Sequence, residues 1–129
     1  FMFLADLSRK LDIQHEIEFV KLSSYKGTES TGDVQFELEV MTHVQDRDLI
    51  IVEDIVDTGL TMKTFREHIL KKDINSVSIA TLLFKKDLFE YDYPIDYIGR
   101  QIPPVFVVGY GLDYNGLGRN LPMLYRLAQ

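Results

Sequence analysis

The chain has 129 residues, of which 46% are hydrophobic and 26% charged, and these values are typical of one globular domain. A formal net charge of -6 argues against general nucleic-acid binding, and no apolar run reaches the roughly 20 residues that cross a bilayer. The chain has no cysteine, which excludes disulfides and thiolate metal sites, and these features together predict a cytoplasmic protein.

The first predicted element is a helix over residues 1–11, where apolar residues recur at helical spacing. The opening FMFLADLSRKL lacks the basic region and the small-residue cleavage site of a signal peptide. Because a domain rarely begins inside an amphipathic helix, we expect a further segment to precede Phe1. Residues 1–129 are predicted to belong to a single domain.

Two alternating segments follow and predict strands: residues 16–22 (EIEFVKL) and residues 34–40 (VQFELEV). Between them lies the polar loop SSYKGTESTGD, residues 23–33. A loop of this length without structure of its own is usually functional or disordered. The pattern therefore predicts a long hairpin with a mobile tip.

The next three elements indicate a strand, a helix and a strand. Residues 49–52 are continuously apolar, as in a strand buried on both faces, and residues 77–84 repeat that pattern. Residues 60–72 between them predict an amphipathic helix. With short strands at 97–98 and 105–108, this order predicts an α/β fold with an open, mostly parallel sheet.

Three carboxylates cluster where the most hydrophobic segment ends. Glu53 and Asp54 are predicted to lie just beyond the strand, where open α/β sheets bind their ligands. Residues 57–61 (DTGLT) then enter the helix, and a helix N-terminus preceded by a glycine loop binds phosphate. A sugar phosphate fits both halves, with its phosphate on the loop, its diol on the carboxylates and Mg²⁺ between them.

A plainer interpretation is that Glu53 and Asp54 are solvated strand-end residues and that Asp57 is a helix N-cap. Short motifs often arise by chance. The complete succession of strand, acidic pair, loop and helix nevertheless favours a binding site. The sequence contains no Walker-type or dinucleotide-binding glycine motif, and its histidines lack the spacing of a zinc site.

Several blocks resemble the type I phosphoribosyltransferases, and among them the hypoxanthine(-guanine) phosphoribosyltransferases. VEDIVDTGLT is similar to their motif for phosphoribosyl pyrophosphate (PRPP), and LSSYKGTESTGDV to their flexible lid, about residues 23–34. TLLFKK resembles the strand whose lysine contacts the purine. The purine-stacking and C-terminal segment of the family is similar to IPPVFVVGYGLDYNGLGRNLP. The resemblance implies a Rossmann-like twisted sheet flanked by helices, with a hairpin lid and a small hood.

On the PRPP side, the resemblance implies that Glu53 and Asp54 hold the ribose hydroxyls, directly or through Mg²⁺-bound water. The loop would cradle the 5′-phosphate, and Arg119 would contact pyrophosphate. Two lid residues, Ser24 and Tyr25, would close over the site. The residues assigned to the loop are Asp57, Thr58, Gly59, Leu60 and Thr61.

On the base side, the resemblance implies that Asp57 is the general base near purine N7 and that Lys85 donates to the 6-oxo group. Phe106 would stack on the base, Val107 would offer backbone contacts to its edge, and Asp113 would bind a second Mg²⁺ beside it. Each residue also has an ordinary explanation when taken alone: a solvated strand end for Lys85, a core side chain for Phe106. Their joint order and spacing favour the site.

The implied activity is purine salvage: hypoxanthine, and also guanine, react with PRPP to give the nucleoside monophosphate and pyrophosphate with Mg²⁺. The family forms homodimers or homotetramers. Two alternatives stay open, a non-catalytic PRPP-sensing regulator and an enzyme for another base such as xanthine or a pyrimidine. Lys85 and Phe106 favour oxopurines, but they do not rank them.

The chain also departs from the family pattern. The family has an earlier strand and a short Lys-Gly loop that binds pyrophosphate. The given sequence contains neither of them, and both are expected to precede Phe1. GRQIP stands at residues 99–103, where many members have GFEIP. That difference predicts altered local packing or subunit contacts.

Overall fold

The computed structural model of the chain describes residues 1–24, 34–38 and 43–126. Within these ranges no helix combines the length and the apolarity needed to span a bilayer. In chain order the helices and strands are α1 (Met2–Ser8), β1 (Lys21–Ser24), β2 (Val34–Leu38), β3 (Asp48–Val56), α2 (Leu60–Ile69), β4 (Ser76–Phe84), β5 (Tyr97–Gln101), β6 (Val107–Val108) and β7 (Tyr125–Arg126). A 3₁₀ turn over Lys86–Leu88 follows β4.

A parallel sheet in the order β3-β4-β5 forms the centre of the described structure, which confirms the predicted fold class. The register places Val56 opposite Phe84, so that β3 and β4 end side by side. Asp57 and Lys85 follow these two residues directly. The sheet therefore brings them to one edge, where α/β folds bind their ligands.

The hydrophobic core lies between α2 and the sheet. α2 buries one stripe of apolar side chains at helical spacing, as its sequence predicts. Burying a side chain of this size contributes about 1.5–3 kcal/mol, so this packing also fixes the loop that leads into α2. The buried core side chains are Ile51, Val56, Met62, Phe65, Ile69, Ile79 and Phe84.

The hairpin forms, but its first strand begins later than predicted. β1 pairs antiparallel with β2, and Lys21 lies opposite Leu38, the last described residue of β2. Residues 16–20 have no strand assignment. A strand needs a partner for its ladder, and within the described residues the pairing reaches no further than Lys21. The prediction of a strand over residues 16–22 is therefore confirmed only from Lys21 onward.

α2 is shorter than predicted because its last turn tightens. The regular helix ends at Ile69, not at Lys72. Lys71 N donates to His68 O at 3.3 Å and Lys72 N to Ile69 O at 2.9 Å, both three residues back, as in a 3₁₀ turn. α1 likewise ends at Ser8 instead of residue 11.

The described C-terminal segment folds back on itself. β6 pairs antiparallel with β7, and Tyr110 N donates to Leu121 O at 2.8 Å. Gly109 has φ +102°, and a Cβ there would lie 2.0 Å from the carbonyl oxygen of Met123, so only glycine fits this close approach. The predicted strand at 105–108 is shortened to its last two residues.

Candidate active site

The acidic pair lies within a strand and not beyond one, which corrects the prediction. β3 continues through Glu53 and Asp54 to Val56. The ladder to β4 continues in the same way, with Glu53 opposite Thr81 and Ile55 opposite Leu83. Buried apolar side chains lie on both sides of the pair, at Ile51 and Val56, so the end of the strand is marked by Asp57 and not by the first carboxylate.

Glu53 and Asp54 line a crevice of about 300 Å³ whose other walls are mainly apolar. Burial, and after it the charge of the neighbouring Asp54, raises the pKa of Glu53 to about 7. A carboxylate in such a place gains from a cation or from hydroxyl donors that would replace its lost water. The site therefore favours a cationic or hydroxylated ligand.

Glu53→Gln is expected to stabilise the ligand-free chain at high pH. The carboxyl has a pKa of about 7 when folded and 4.5 as an ordinary side chain, so its protonation favours the folded state. That contribution is complete below pH 4.5 and is lost as the pH rises through 7. In urea unfolding at pH 8.5, the free energy of unfolding of the variant should exceed that of wild type by at most about 3 kcal/mol. At pH 4.5 the two values should be nearly equal.

Glu90→Gln is the control for this prediction, because Glu90 is exposed. It should leave the pH dependence of the free energy of unfolding unchanged. A Glu53→Gln difference that stays constant between pH 4.5 and 8.5 would contradict the assigned protonation.

The loop from Asp57 to Thr61 forms the N-terminus of α2. Gly59 is the N-cap, in the left-handed conformation at φ 87°, and no side chain caps the helix. Its carbonyl accepts the first helical bond from Lys63 N at 2.9 Å, while Thr58 Oγ1 lies 3.4 Å from Leu60 N. Thr58, Leu60 and Thr61 are exposed. The helix thus presents N–H groups and hydroxyls to solvent, as a phosphate site requires.

Gly59→Ala should destabilise the chain and weaken binding at the loop. A left-handed alanine costs about 1–2 kcal/mol. Its Cβ would also lie 2.5 Å from Phe89 Cε2 and 2.8 Å from Tyr93 Oη. Thermal melting should show a decrease of roughly 4 °C or more.

Gly116→Ala is a matched control for this substitution, because Gly116 also has positive φ, at +81°, but a Cβ there meets nothing within 4 Å. It should reproduce the backbone cost alone. If the two variants melt at the same temperature, the contact with Phe89 and Tyr93 does not constrain the loop.

Asp57 and Lys85 form an ion pair across the ends of β3 and β4. Lys85 Nζ lies 2.7 Å from Asp57 Oδ1, and Lys85 N donates to Val56 O at 3.0 Å. Lys85 is 8% exposed, while Asp57 is exposed. Neither residue fits its plainer interpretation, because Lys85 is not a solvated strand end and the N-cap is Gly59. The pair presents a positive donor beside a carboxylate acceptor.

Phe106 and Val107 lie after the turn that follows β5. Ile102 N donates to Phe84 O at 2.9 Å, so the chain leaves the sheet beside the end of β4. Phe106 is 50% exposed and meets Tyr114 edge-on, with ring centroids 5.7 Å apart. Phe106 is therefore not a core residue, and its ring is free to stack on a planar ligand. Val107 opens β6.

Asp113 and Arg119 bind each other. Arg119 Nη2 lies 2.6 Å from Asp113 Oδ1, and its Nη1 donates to Gly111 O at 2.7 Å. The second carboxylate oxygen, Oδ2, accepts the N–H of Gly116 at 2.7 Å. Sequence reasoning assigned these two residues to different ligands and missed their contact.

The predicted lid lies almost wholly outside the described residues. Ser24 is the last residue of β1, and Tyr25 falls in the part that the structure does not describe. Their proposed closure over the site stays a prediction.

Sequence reasoning also missed the aromatic side chains behind the loop of residues 57–61, which is called the phosphate loop below. Tyr93 Oη donates to Gly59 O at 2.6 Å, and Phe89 packs edge-on against both Phe84 and Tyr93. The alternation of aromatics at residues 89, 91 and 93 was the available signal. It points to one side of an extended chain, but it does not say what that side contacts.

A magnesium ion fits the donors of this site only with help from a substrate. Among the described residues, no group of three or more His, Asp or Glu side chains is arranged to hold a metal. Mg²⁺ usually takes one or two carboxylates and completes its shell with substrate oxygens and water. Glu53 and Asp54 offer such oxygens, whereas both oxygens of Asp113 are already engaged.

Comparisons with known proteins agree with this geometry. Residues 1–115 match the phosphoribosyl transferase domain family. Over 124 residues the chain is 45% identical to a hypoxanthine-guanine phosphoribosyltransferase of Staphylococcus epidermidis, covering 95% of this chain and 69% of that protein.

Solved structures are similar as well. A hypoxanthine phosphoribosyltransferase from Staphylococcus aureus superimposes with a TM-score of 0.92 at 43% identity, over 98% of this chain and 70% of that one. A hypoxanthine-guanine phosphoribosyltransferase from Bacillus anthracis, with a HEPES molecule in its active site, superimposes with a TM-score of 0.92 at 35% identity. The match covers 98% of this chain and 75% of that one.

Proposed function

The chain belongs to the phosphoribosyl transferase family, among its hypoxanthine-guanine phosphoribosyltransferases, and from that membership we propose how its residues divide the reaction. The activity is purine salvage, in which PRPP and hypoxanthine or guanine give the nucleoside monophosphate and pyrophosphate. The observation that carries the proposal is the Lys85–Asp57 pair, 2.7 Å apart beside the phosphate loop.

The pair matches one edge of an oxopurine. Purine N7–H is a donor and the adjacent 6-oxo group is an acceptor, so Asp57 would accept from N7 and Lys85 would donate to the oxygen. Attack by N9 on the sugar becomes easier as N7 loses its proton to Asp57. Adenine has a 6-amino donor in place of the oxo group, which would face the Lys85 ammonium. The buried lysine therefore selects for oxopurines.

The sugar phosphate would occupy the other half of the site. We propose that the 5′-phosphate binds the exposed N–H groups and hydroxyls at the start of α2, and that Glu53 and Asp54 hold the ribose hydroxyls. Phe106 would stack on the base, and the backbone of Val107 would contact its edge. The exposure of Phe106 and of the loop residues supports these assignments.

Magnesium is proposed as the cofactor. When bound, Mg²⁺ would neutralise the charge of the pyrophosphate leaving group, and Glu53, Asp54 and Asp113 are the proposed carboxylates. Asp113 would keep the bond from Gly116 to its Oδ2 and would offer Oδ1, which now contacts Arg119, once Arg119 binds pyrophosphate. Ser24 and Tyr25 would cover the site and exclude water.

A base-panel assay tests the function. The chain is mixed with PRPP, MgCl₂ and one of hypoxanthine, guanine, xanthine or adenine, and nucleotide and pyrophosphate are measured together. Hypoxanthine and guanine should give both products in equal amounts, and adenine much less. No product from either oxopurine would contradict the activity, and equal rates with adenine would contradict the role of Lys85.

We also propose that the chain assembles as a homodimer or homotetramer. Large apolar side chains stay exposed on β5, where Tyr97 is 61% exposed, and near the C-terminus, where Met123 is 61% exposed. Light scattering on a gel-filtration peak distinguishes these states from a monomer. The proposed site of action is the cytoplasm, because PRPP and nucleotides are too highly charged to pass a bilayer unaided.

A further inference from the structure

Behind the phosphate loop lies a segment that has no part in the proposed chemistry. Residues 89–93 follow the 3₁₀ turn after β4 and pass the back of the loop. Glu90 N donates to Thr58 O at 3.2 Å, and Tyr93 Oη donates to Gly59 O at 2.6 Å. Two consecutive carbonyls of the loop are thus hydrogen-bonded to this segment.

The Gly59 carbonyl has two donors. One is Lys63 N, at 2.9 Å, which begins the helical ladder of α2, and the other is the Tyr93 hydroxyl. The first bond alone leaves the left-handed turn at Gly59 free to alternate with other conformations, since glycine has many. The second bond ties this turn to a ring that is anchored elsewhere.

Tyr93 is itself held firmly. Its ring packs edge-on against Phe89 at 5.1 Å, stacks on Tyr91 at 6.1 Å and lies 5.9 Å from the Arg66 guanidinium. Phe89 in turn contacts the core at Phe84, with ring centroids 5.2 Å apart. The hydroxyl is therefore fixed relative to the sheet and not merely to the loop.

We propose that Tyr93 is a positioning residue for phosphate binding, which holds Gly59 in the conformation that directs the N–H groups of α2 at the 5′-phosphate. The inference rests on the proposed function for the identity of the ligand. Without the hydroxyl, the competent loop would be a smaller fraction of the ensemble, and the apparent affinity for phosphate would fall by that fraction.

Burial raises the pKa of Tyr93 to about 12. The hydroxyl therefore keeps its proton across the range in which enzymes are assayed. A positioning effect that depends on it should be constant between pH 6 and 9.

Tyr93→Phe removes the hydroxyl and keeps the ring. Isothermal titration with ribose 5-phosphate should show about 3- to 10-fold weaker binding, the range that one net hydrogen bond commonly contributes. In turnover the KM for PRPP should rise by a similar factor, while kcat and the KM for hypoxanthine stay within about twofold. The amide of Lys63, which donates to Gly59 O and also contacts the Tyr93 hydroxyl, should exchange its hydrogen faster by a comparable factor.

Tyr91→Phe is the matched control. Tyr91 stacks on Tyr93 at 6.1 Å, but its hydroxyl has no described bond to the loop. This variant should bind ribose 5-phosphate like wild type and show unchanged exchange at Lys63. Equal effects in the two variants would assign the change to ring packing and overturn the proposal.

The same experiments separate this inference from the proposed function. If wild type binds ribose 5-phosphate but makes no nucleotide, the function fails, and a weakened Tyr93→Phe still supports positioning. If wild type does turn over and Tyr93→Phe retains its KM for PRPP and its Lys63 exchange rate, positioning is refuted and the function stands. If wild type neither binds ribose 5-phosphate nor makes nucleotide, both fail.

Discussion

Asp57→Asn should lower kcat by about 10²- to 10⁴-fold, the usual contribution of a general base. The amide cannot take the N7 proton, whereas its oxygen can still accept from Lys85, 2.7 Å from the present carboxylate. In the proposed site the α2 N-terminus and β3 bind PRPP, so the KM for PRPP should change by no more than about threefold. Single-turnover measurement with saturating PRPP and hypoxanthine separates the chemical step from product release.

Asparagine is a better test than alanine at this position. Asp57→Ala would leave the ammonium of Lys85, 8% exposed, without its partner, and an unpaired buried charge is strongly destabilising. Asp87→Asn removes a carboxylate from the exposed 3₁₀ turn nearby and should leave kcat unchanged. Turnover of Asp57→Asn within tenfold of wild type would remove Asp57 from the role of base.

Lys85→Met should raise the KM for hypoxanthine and guanine by about 10- to 100-fold and leave the KM for PRPP near its wild-type value. A hydrogen bond from a charged donor contributes about 1.5–3 kcal/mol, and this variant removes the proposed donor to the 6-oxo group while keeping the length of the side chain. The preference for oxopurine over adenine should shrink by the same factor, measured as the ratio of kcat/KM.

Lys86→Met provides the comparison, since Lys86 is adjacent but exposed. It should alter neither KM. Thermal melting is measured in parallel, because the substitution leaves the Asp57 carboxylate without its partner. Asp57 is exposed, so water can solvate that charge and the loss of stability should be small. An unchanged base preference in a folded Lys85→Met would show that base selection depends on other residues.

Much of the fold could be predicted because its signals are local. The apolar runs of β3 and β4 and the helical stripe of α2 each specify one element, and two such strands joined by a helix form a parallel pair. The ends of the strands were harder to predict from the sequence. Glu53 and Asp54 look like the end of an apolar run, but β3 continues through them to the next apolar pair, Ile55 and Val56.

The residues of the candidate site could be proposed one by one from the sequence, but their contacts could not. Lys85 and Asp57 meet because Val56 lies opposite Phe84, and a register is a property of two strands that neither sequence contains alone. The pairing of Asp113 with Arg119, and of Tyr93 with Gly59, likewise depends on how separate segments return to one place. No short motif encodes such a return.

Because β3 and β4 end side by side, insertions and deletions should be tolerated in some segments of the chain and not in others. Side chains along a strand alternate between faces, so one residue inserted or deleted within β4 would turn Lys85 to the opposite face of the sheet from Asp57. The exposed turn after α2, at Leu70 and Lys71, lies between the two strands in sequence but outside their ladder. Insertions there change only the length of a connection. Natural variants and engineered fusions should therefore carry added residues in that turn and almost none within the paired strands.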